Sequence, residues 1–258
     1  MKRTLLTIAL LLISFIASAQ TRMFINKTNG TADSLLLSDI KSISFKTYPV
    51  IPTQGLVAAW LFDGSAIDAS GNGNNGTVNG ATLTSDRFGV SNKAYSFGGS
   101  ATIQGSTSSF NFGAASFSIS LWMKSSSSSG GGILTTHDVA SAKYSNIGIY
   151  IAGTNLGFSD VDINNGAGSS TNFNGKKLTD NQWHHILVNR QGAAAKLYVD
   201  GVLDFTDNLT QNPNNSTTFI IGSSYNTAYF IGIIDDIRVY NRTLTDAEIG
   251  LLYHENGW

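Results

Sequence analysis

The stretch from Trp183 to Phe205, WHHILVNRQGAAAKLYVDGVLDF, limits the possible folds of this chain more than any other. Its apolar runs His185–Asn189 and Ala195–Val199 suit strands and are too short for a globular helix. QGAA at 191–194 turns the chain between them. Asp200-Gly201 then supplies the dipeptide that a tight primed turn demands, because both central residues need positive φ. Val202–Phe205 carries the chain onward, so the stretch predicts an antiparallel meander.

Similar alternation runs through most of the chain. Leu56–Phe62 is apolar on both faces and reads as a central or doubly covered strand. In FSISLWMK (117–124), Phe117, Ile119, Leu121 and Met123 point one way and Ser118, Ser120 and Trp122 the other. SSSSSGGG (125–132) reads as an exposed hairpin loop. Further strands are expected at 94–97, 101–103, 133–136, 146–151, 156–161, 219–222 and 232–240. One helix is predicted, at the end: Thr245 caps it, Glu248 completes a capping box, and Ile249, Leu251, Leu252 and Tyr253 form its packing face. About a dozen short strands with polar turns predict an all-β fold, a two-sheet antiparallel sandwich or jelly roll. No repeat of fixed period points instead to a propeller or solenoid.

Residues 1–19 are set apart. Lys2 and Arg3, the apolar run Leu5–Ile16 and Ala17-Ser18-Ala19 have the pattern of a secretory signal peptide. Residues 20–53 read as a small β segment and linker: MFINK, a turn at Asn29-Gly30, ADSLLL, and a third strand at Ile43–Phe45. Pro49 and Pro52 mark the linker, and the main domain covers 54–258. With no cysteine, neither a lipobox nor a disulfide framework is available, and no later segment is apolar for long enough to span a bilayer. The expected location is therefore secreted, periplasmic or on the cell surface. Removing residues 1–19 moves the formal charge from −1 to −3, which argues against a nucleic-acid partner.

Four segments, in order, resemble a known family: GLVAAWLFDGSAIDASGNGNNGTVNGA (55–81), FSISLWMK (117–124), WHHILVNR with LYVDGVL (183–190 and 197–203), and GIIDDIRVYNRTLTDAEIGLLY (232–253). The chain resembles the laminin-G-like, or concanavalin A-like lectin and glucanase, jelly rolls of the bacterial secreted branch. That resemblance implies a convex and a concave sheet, with the first and last strands adjacent. It also implies a structural calcium on the convex side, held by Asp63 and Asp236 with carbonyls such as that of Gly64. Alternation would send Asp235 and Asp236 to opposite faces, leaving only one to meet an ion. Asp68, Ser70, Asn72, Gly73 and Asn74 match the start of an EF-hand loop, but Asn79 stands where its Glu would be. An Asx-rich turn is the expected reading, with Asp68 a further candidate at the calcium site.

For ligand binding, the loops offer aromatics and planar polar groups: Tyr144, Phe173, Tyr225, Asn226 and Tyr229, with Asp160 and Asp162. Catalysis is not expected. Glu248 and Glu255 are the only glutamates, and Asp160 and Asp162, though on one strand face, lack a third acid. His185 reads as a hydrogen-bonded core residue and His137 as solvent-facing. The function expected is a non-catalytic module binding glycan. A protein-binding adhesive or structural module is the alternative, and a glucanase-type hydrolase the lesser one.

Overall fold

In the computed structural model the described residues are 22–26, 30–42, 50–137, 147–162, 167–173, 175–208, 216–224 and 227–258. The chain divides into two units, Met1–Thr47 and Tyr48–Trp258. In the first, Arg22–Asn26 and Ala32–Leu36 pair antiparallel as a hairpin. The signal-peptide expectation and the Ile43–Phe45 strand lie outside the described residues.

The second unit is a sandwich of an eight-stranded and a nine-stranded sheet. The eight-stranded sheet runs Val202–Asn208, Ala194–Val199, Trp183–Gln191, Phe117–Lys124, Ile231–Tyr240, Ala94–Gly98, Thr82–Thr84. Its 183–208 portion, at one edge, is the meander read from sequence. Asp200 and Gly201 both have positive φ, 51° and 77°, as the primed turn requires. The opening strand Leu56–Trp60 pairs with the closing strand Ile231–Tyr240, Trp60 opposite Ile237 and Ala58 opposite Val239. The nine-stranded sheet runs Ala167–Phe173, Asn155–Asp162, Ile147–Ala152, Gly131–His137, Thr218–Ile221, Thr102–Ser106, Thr77–Asn79, with Ser223–Ser224 and Ala228–Tyr229 beside it.

Rings from both sheets meet between them. Trp60 lies 4.6 Å from Phe219, and Phe117 lies 6.4 Å from Phe158, centroid to centroid. Each such side chain contributes roughly 1.5–3 kcal/mol on leaving water. A one-residue slip of Phe117–Lys124 would turn Phe117, Ile119, Leu121 and Met123 out of this core together, so its register is strongly specified. The opposite face of the same sheet is covered too. Leu187, Tyr198, Tyr240 and Leu244 form a second cluster with Ile249 and Leu252 of the helix Asp246–Tyr253. Thr245 and Glu248 exchange the two bonds of a capping box, and Arg242 forks onto Glu248 at 2.6 and 2.9 Å. That Arg242 pairing holds the Glu248 carboxyl at about 2.

The segment 125–132 departs from the sequence reading. Strands 117–124 and 131–137 belong to different sheets, so the chain crosses between layers here and forms no hairpin. Ser125 is buried and donates to the Ile231 carbonyl, while Gly131 and Gly132 are buried within a strand. Glycine is needed there because the backbones of Ser223–Ser224 and Tyr229–Phe230 cross closely: a Cβ on Gly132 would stand 2.6 Å from the Ser224 nitrogen. A run of Ser and Gly reads as flexible, although close approach of two backbones selects the same residues.

Candidate functional site

On the outer face of the nine-stranded sheet lies a groove of about 470 Å³. Alternation builds its floor. Ile147, Ile149 and Ile151 enter the core, which leaves Gly148, Tyr150 and Ala152 on the other face. On the neighbouring strand Leu156 and Phe158 enter the core, leaving Gly157 and Ser159 outside, opposite Tyr150 and Gly148 respectively.

The Tyr150–Gly157 pair defines the floor. A Cβ on Gly157 would fall into the tyrosine ring, 2.7 Å from Cδ2 and nearer still to Cε2 and Cζ. The half-buried ring therefore lies flat across the glycine, presenting a face instead of an edge. On its other side Tyr150 is opposite Gly132, over which Ser223–Ser224 passes as a wall. Ser129, Thr135, Ser159 and Ser224 add hydroxyls, and among the described residues none of the lining side chains carries a charge. Thr135 Oγ1 donates to the Ser223 carbonyl at 2.9 Å and meets His137 Nε2 at 2.8 Å, which stiffens that wall. An aromatic face bordered by hydroxyls, with uncharged side chains among the described residues, is suited to polyhydroxylated neutral molecules.

The ligand residues expected from sequence are only partly placed. Tyr229 is half-buried beside this groove, paired with Ser223 and Gly132. Asp160 pairs with Ile147 and Ser169, and Asp162 with Ala167. Phe173 ends the outermost strand, opposite Leu156. The side chains of Asp160, Asp162 and Phe173, and all of Tyr144, Tyr225 and Asn226, lie outside the description. Sequence reasoning missed Tyr150 itself, although it sits on the polar face of an Ile-x-Ile-x-Ile strand next to a Gly-x-Ser strand.

A second cavity, about 390 Å³, brings together Asp63 and Asp236, with Arg87, Lys93, Arg238 and Glu255. A β-bulge between Asp235 and Arg238 puts Asp236 at φ 48° and breaks the strand's alternation. Asp235 and Asp236 therefore do not diverge as expected: Arg87 Nη1 donates to Asp235 Oδ2 at 3.2 Å and to Asp236 Oδ2 at 2.7 Å. Burial and the adjoining Asp236 carboxylate raise the Asp235 pKa. Arg238 takes Glu255 at 2.8 Å and stands 3.5 Å from the other Asp236 oxygen. Asp63 points to solvent and pairs with Lys93 at 2.8 Å. The Gly64 amide donates to the carbonyls of Phe62 and Asn92. As arranged, this donor set does not fit calcium: a guanidinium group faces each Asp236 oxygen, and among the described residues no cluster of three acids or histidines forms a metal cage.

Asp68 is the hub of an Asx-rich turn. Its Oδ1 accepts from the Ala59 and Ser70 amides and its Oδ2 from the Asn74 amide, each at 2.9 Å. Burial opposes its charge, but these donors outweigh burial and lower its pKa. Asn72 and Asn74 turn their amide nitrogens to the Val57 carbonyl, so the loop staples itself to the opening strand in place of an EF-hand.

His185 is fully buried, bonded to Ser120 Oγ at 2.8 Å, and burial pushes it down to about 3. His137 corrects its expectation: it ends a strand opposite Thr218, is buried rather than solvent-facing, and is lowered to about 4 by that burial. His184 bridges Asp200 at 3.0 Å and Asp180 at 3.1 Å; burial opposes its charge, yet the two carboxylates raise it.

Residues 97–250 match the family model of the concanavalin A-like lectin/glucanases superfamily. No curated protein sequence matches the chain. Among solved structures, it is similar to the binding domain of Paraclostridial Mosquitocidal Protein 1, with a TM-score of 0.61 and 20% identity over 78% of this chain and 52% of that one. The ligand binding domain of botulinum neurotoxin serotype D, in complex with N-acetylneuraminic acid, gives 0.60 and 16% over 79% and 52%. Domain 4 of AbnA, a GH43 extracellular arabinanase from Geobacillus stearothermophilus, in complex with arabinotriose, gives 0.58 and 21% over 77% and 98%. The chain thus spans about half the length of the toxin binding domains. At these identities the likeness is one of fold.

Proposed function

Because the chain belongs to the concanavalin A-like lectin/glucanase superfamily, we propose that it is a non-catalytic binding module whose groove over Tyr150 takes a neutral glycan. The observation that carries this reading is the Tyr150 ring laid flat on Gly157, a platform that a sugar's apolar face can stack on. The hydroxyls around it suit a sugar's hydroxyl groups, and among the described residues a carboxylated sugar would find no cation in the lining. Two of the similar structures hold sugars, one acidic and one neutral. The lining here favours the neutral kind. Among the described residues it also offers no carboxylate pair of the sort glycoside hydrolysis uses. Export belongs to the same proposal, with residues 1–19 as the signal and the mature chain starting at Gln20.

The test is affinity electrophoresis and calorimetry against neutral polysaccharides (arabinan, xylan, β-glucan) and acidic ones (polygalacturonate, a sialylated glycan). Binding to a neutral polymer is expected, weakened about 30-fold in Tyr150→Ala, the equivalent of about 2 kcal/mol for an aromatic anchor. No reducing ends should be released. Equal affinity of Tyr150→Ala and wild type would place binding elsewhere, and silence across the panel would favour a protein partner.

A further inference from the structure

We infer that Arg87 is the resident cation of the junction between the opening and closing strands, so that a guanidinium performs there the charge compensation for which the family resemblance invokes calcium. Three observations converge on it. First, the side chain is buried, with 1% of its surface exposed, although it comes from the loop between Thr82–Thr84 and Ala94–Gly98. Second, its Cζ lies 4.6 Å from the ring centroids of both Phe88 and Trp122, so two aromatic rings fix its position. Third, its Nη1 is shared between the carboxylates of Asp235 and Asp236, which the bulge has brought to one side.

Arg238 completes the arrangement from the far side of Asp236 and ties in Glu255 near the C-terminus. The carboxylates of buried Asp235 and of half-buried Asp236 and Glu255 thus have two guanidinium groups among them. A calcium ion seeking six to eight oxygens would have to displace these groups, and Arg87 is packed against two aromatic rings. Asp63, the other acid assigned to calcium, has its own partner in Lys93 at the solvent edge. This inference does not depend on what the groove binds.

The test measures the thermal midpoint of the mature chain in EDTA and in millimolar calcium chloride, together with the calcium content of the purified protein. A native calcium site at 100 times its Kd would raise the midpoint by about 5–10 °C in a domain of this size. The expected shift is within about 1 °C, with calcium far below one ion per chain. A shift of several degrees, or stoichiometric calcium, overturns the inference. Arg87→Met keeps length and aromatic packing but removes the charge, whereas Arg87→Lys keeps the charge. Arg87→Met is expected to have the lower midpoint of the two. Equal midpoints would mean that Arg87 supplies only packing between Phe88 and Trp122, and would also overturn it.

Discussion

Replacing Gly157 by alanine separates two physical effects of opposite sign. Glycine within a strand costs about 0.5–1 kcal/mol relative to alanine, so propensity alone predicts a more stable protein. The added Cβ, however, would stand 2.7 Å from Tyr150 Cδ2 and closer to two other ring atoms. Ordinary carbon contacts are about 3.5–4 Å, so the ring would have to lift by about 1 Å or more. Overpacking of this kind costs about 1–3 kcal/mol, which outweighs the propensity gain. The net expectation is a loss of about 1–2 kcal/mol, read as a midpoint about 2–8 °C lower by calorimetry. Lifting the ring also spoils the platform, so affinity for a neutral polysaccharide should fall about tenfold, or about 1.4 kcal/mol. A Gly157→Ala protein as stable as wild type, with unchanged sugar affinity, would refute the geometry from which the binding site is built.

Two further outcomes follow from buried polar groups. His185 titrates near 6.5 when unfolded and at about 3 when folded, so below about pH 6.5 the unfolded chain binds the extra proton. Its contribution to stability is present above that pH and falls by about 1.4 kcal/mol per unit as pH drops toward 3. His184, raised by Asp200 and Asp180, acts in the opposite sense. The measurement is therefore the difference in urea stability between wild type and His185→Asn from pH 7 to 5, and a constant difference would contradict the burial account. Asp68→Ala should cost about 3 kcal/mol and lower the midpoint by about 6–12 °C, because the amides of Ala59, Ser70 and Asn74 lose their acceptor. An Asp68→Ala midpoint within 1–2 °C of wild type, on the order of experimental resolution, would show that the loop does not depend on this hub.

Most of the fold was legible because local rules agreed with the global arrangement. Asp200-Gly201 has the turn chemistry it needs, Thr245 and Glu248 form the expected cap, and Phe117–Lys124 shows two distinct faces, one of which meets the helix. The pairing of Leu56–Trp60 with Ile231–Tyr240 follows from the family resemblance and is present. The reading failed where one residue changes the geometry of its neighbours. The bulge at Asp236 defeats strict alternation, and a bulge leaves no composition signal in IIDDIRV. Arg87 is a single cation in a loop, and only the three-dimensional structure shows it reaching residues 235 and 236. Gly157 reads as a weak point in a strand until its cross-strand partner Tyr150 is known.

The most direct measurement is an amide NMR titration of the mature chain with a neutral oligosaccharide that it binds. Chemical-shift changes are expected to centre on Gly148, Tyr150, Gly157, Ser159 and Ser224. Changes centred on Arg87, Asp235 and Asp236, or on the helix Asp246–Tyr253, with the groove unmoved, would contradict the account.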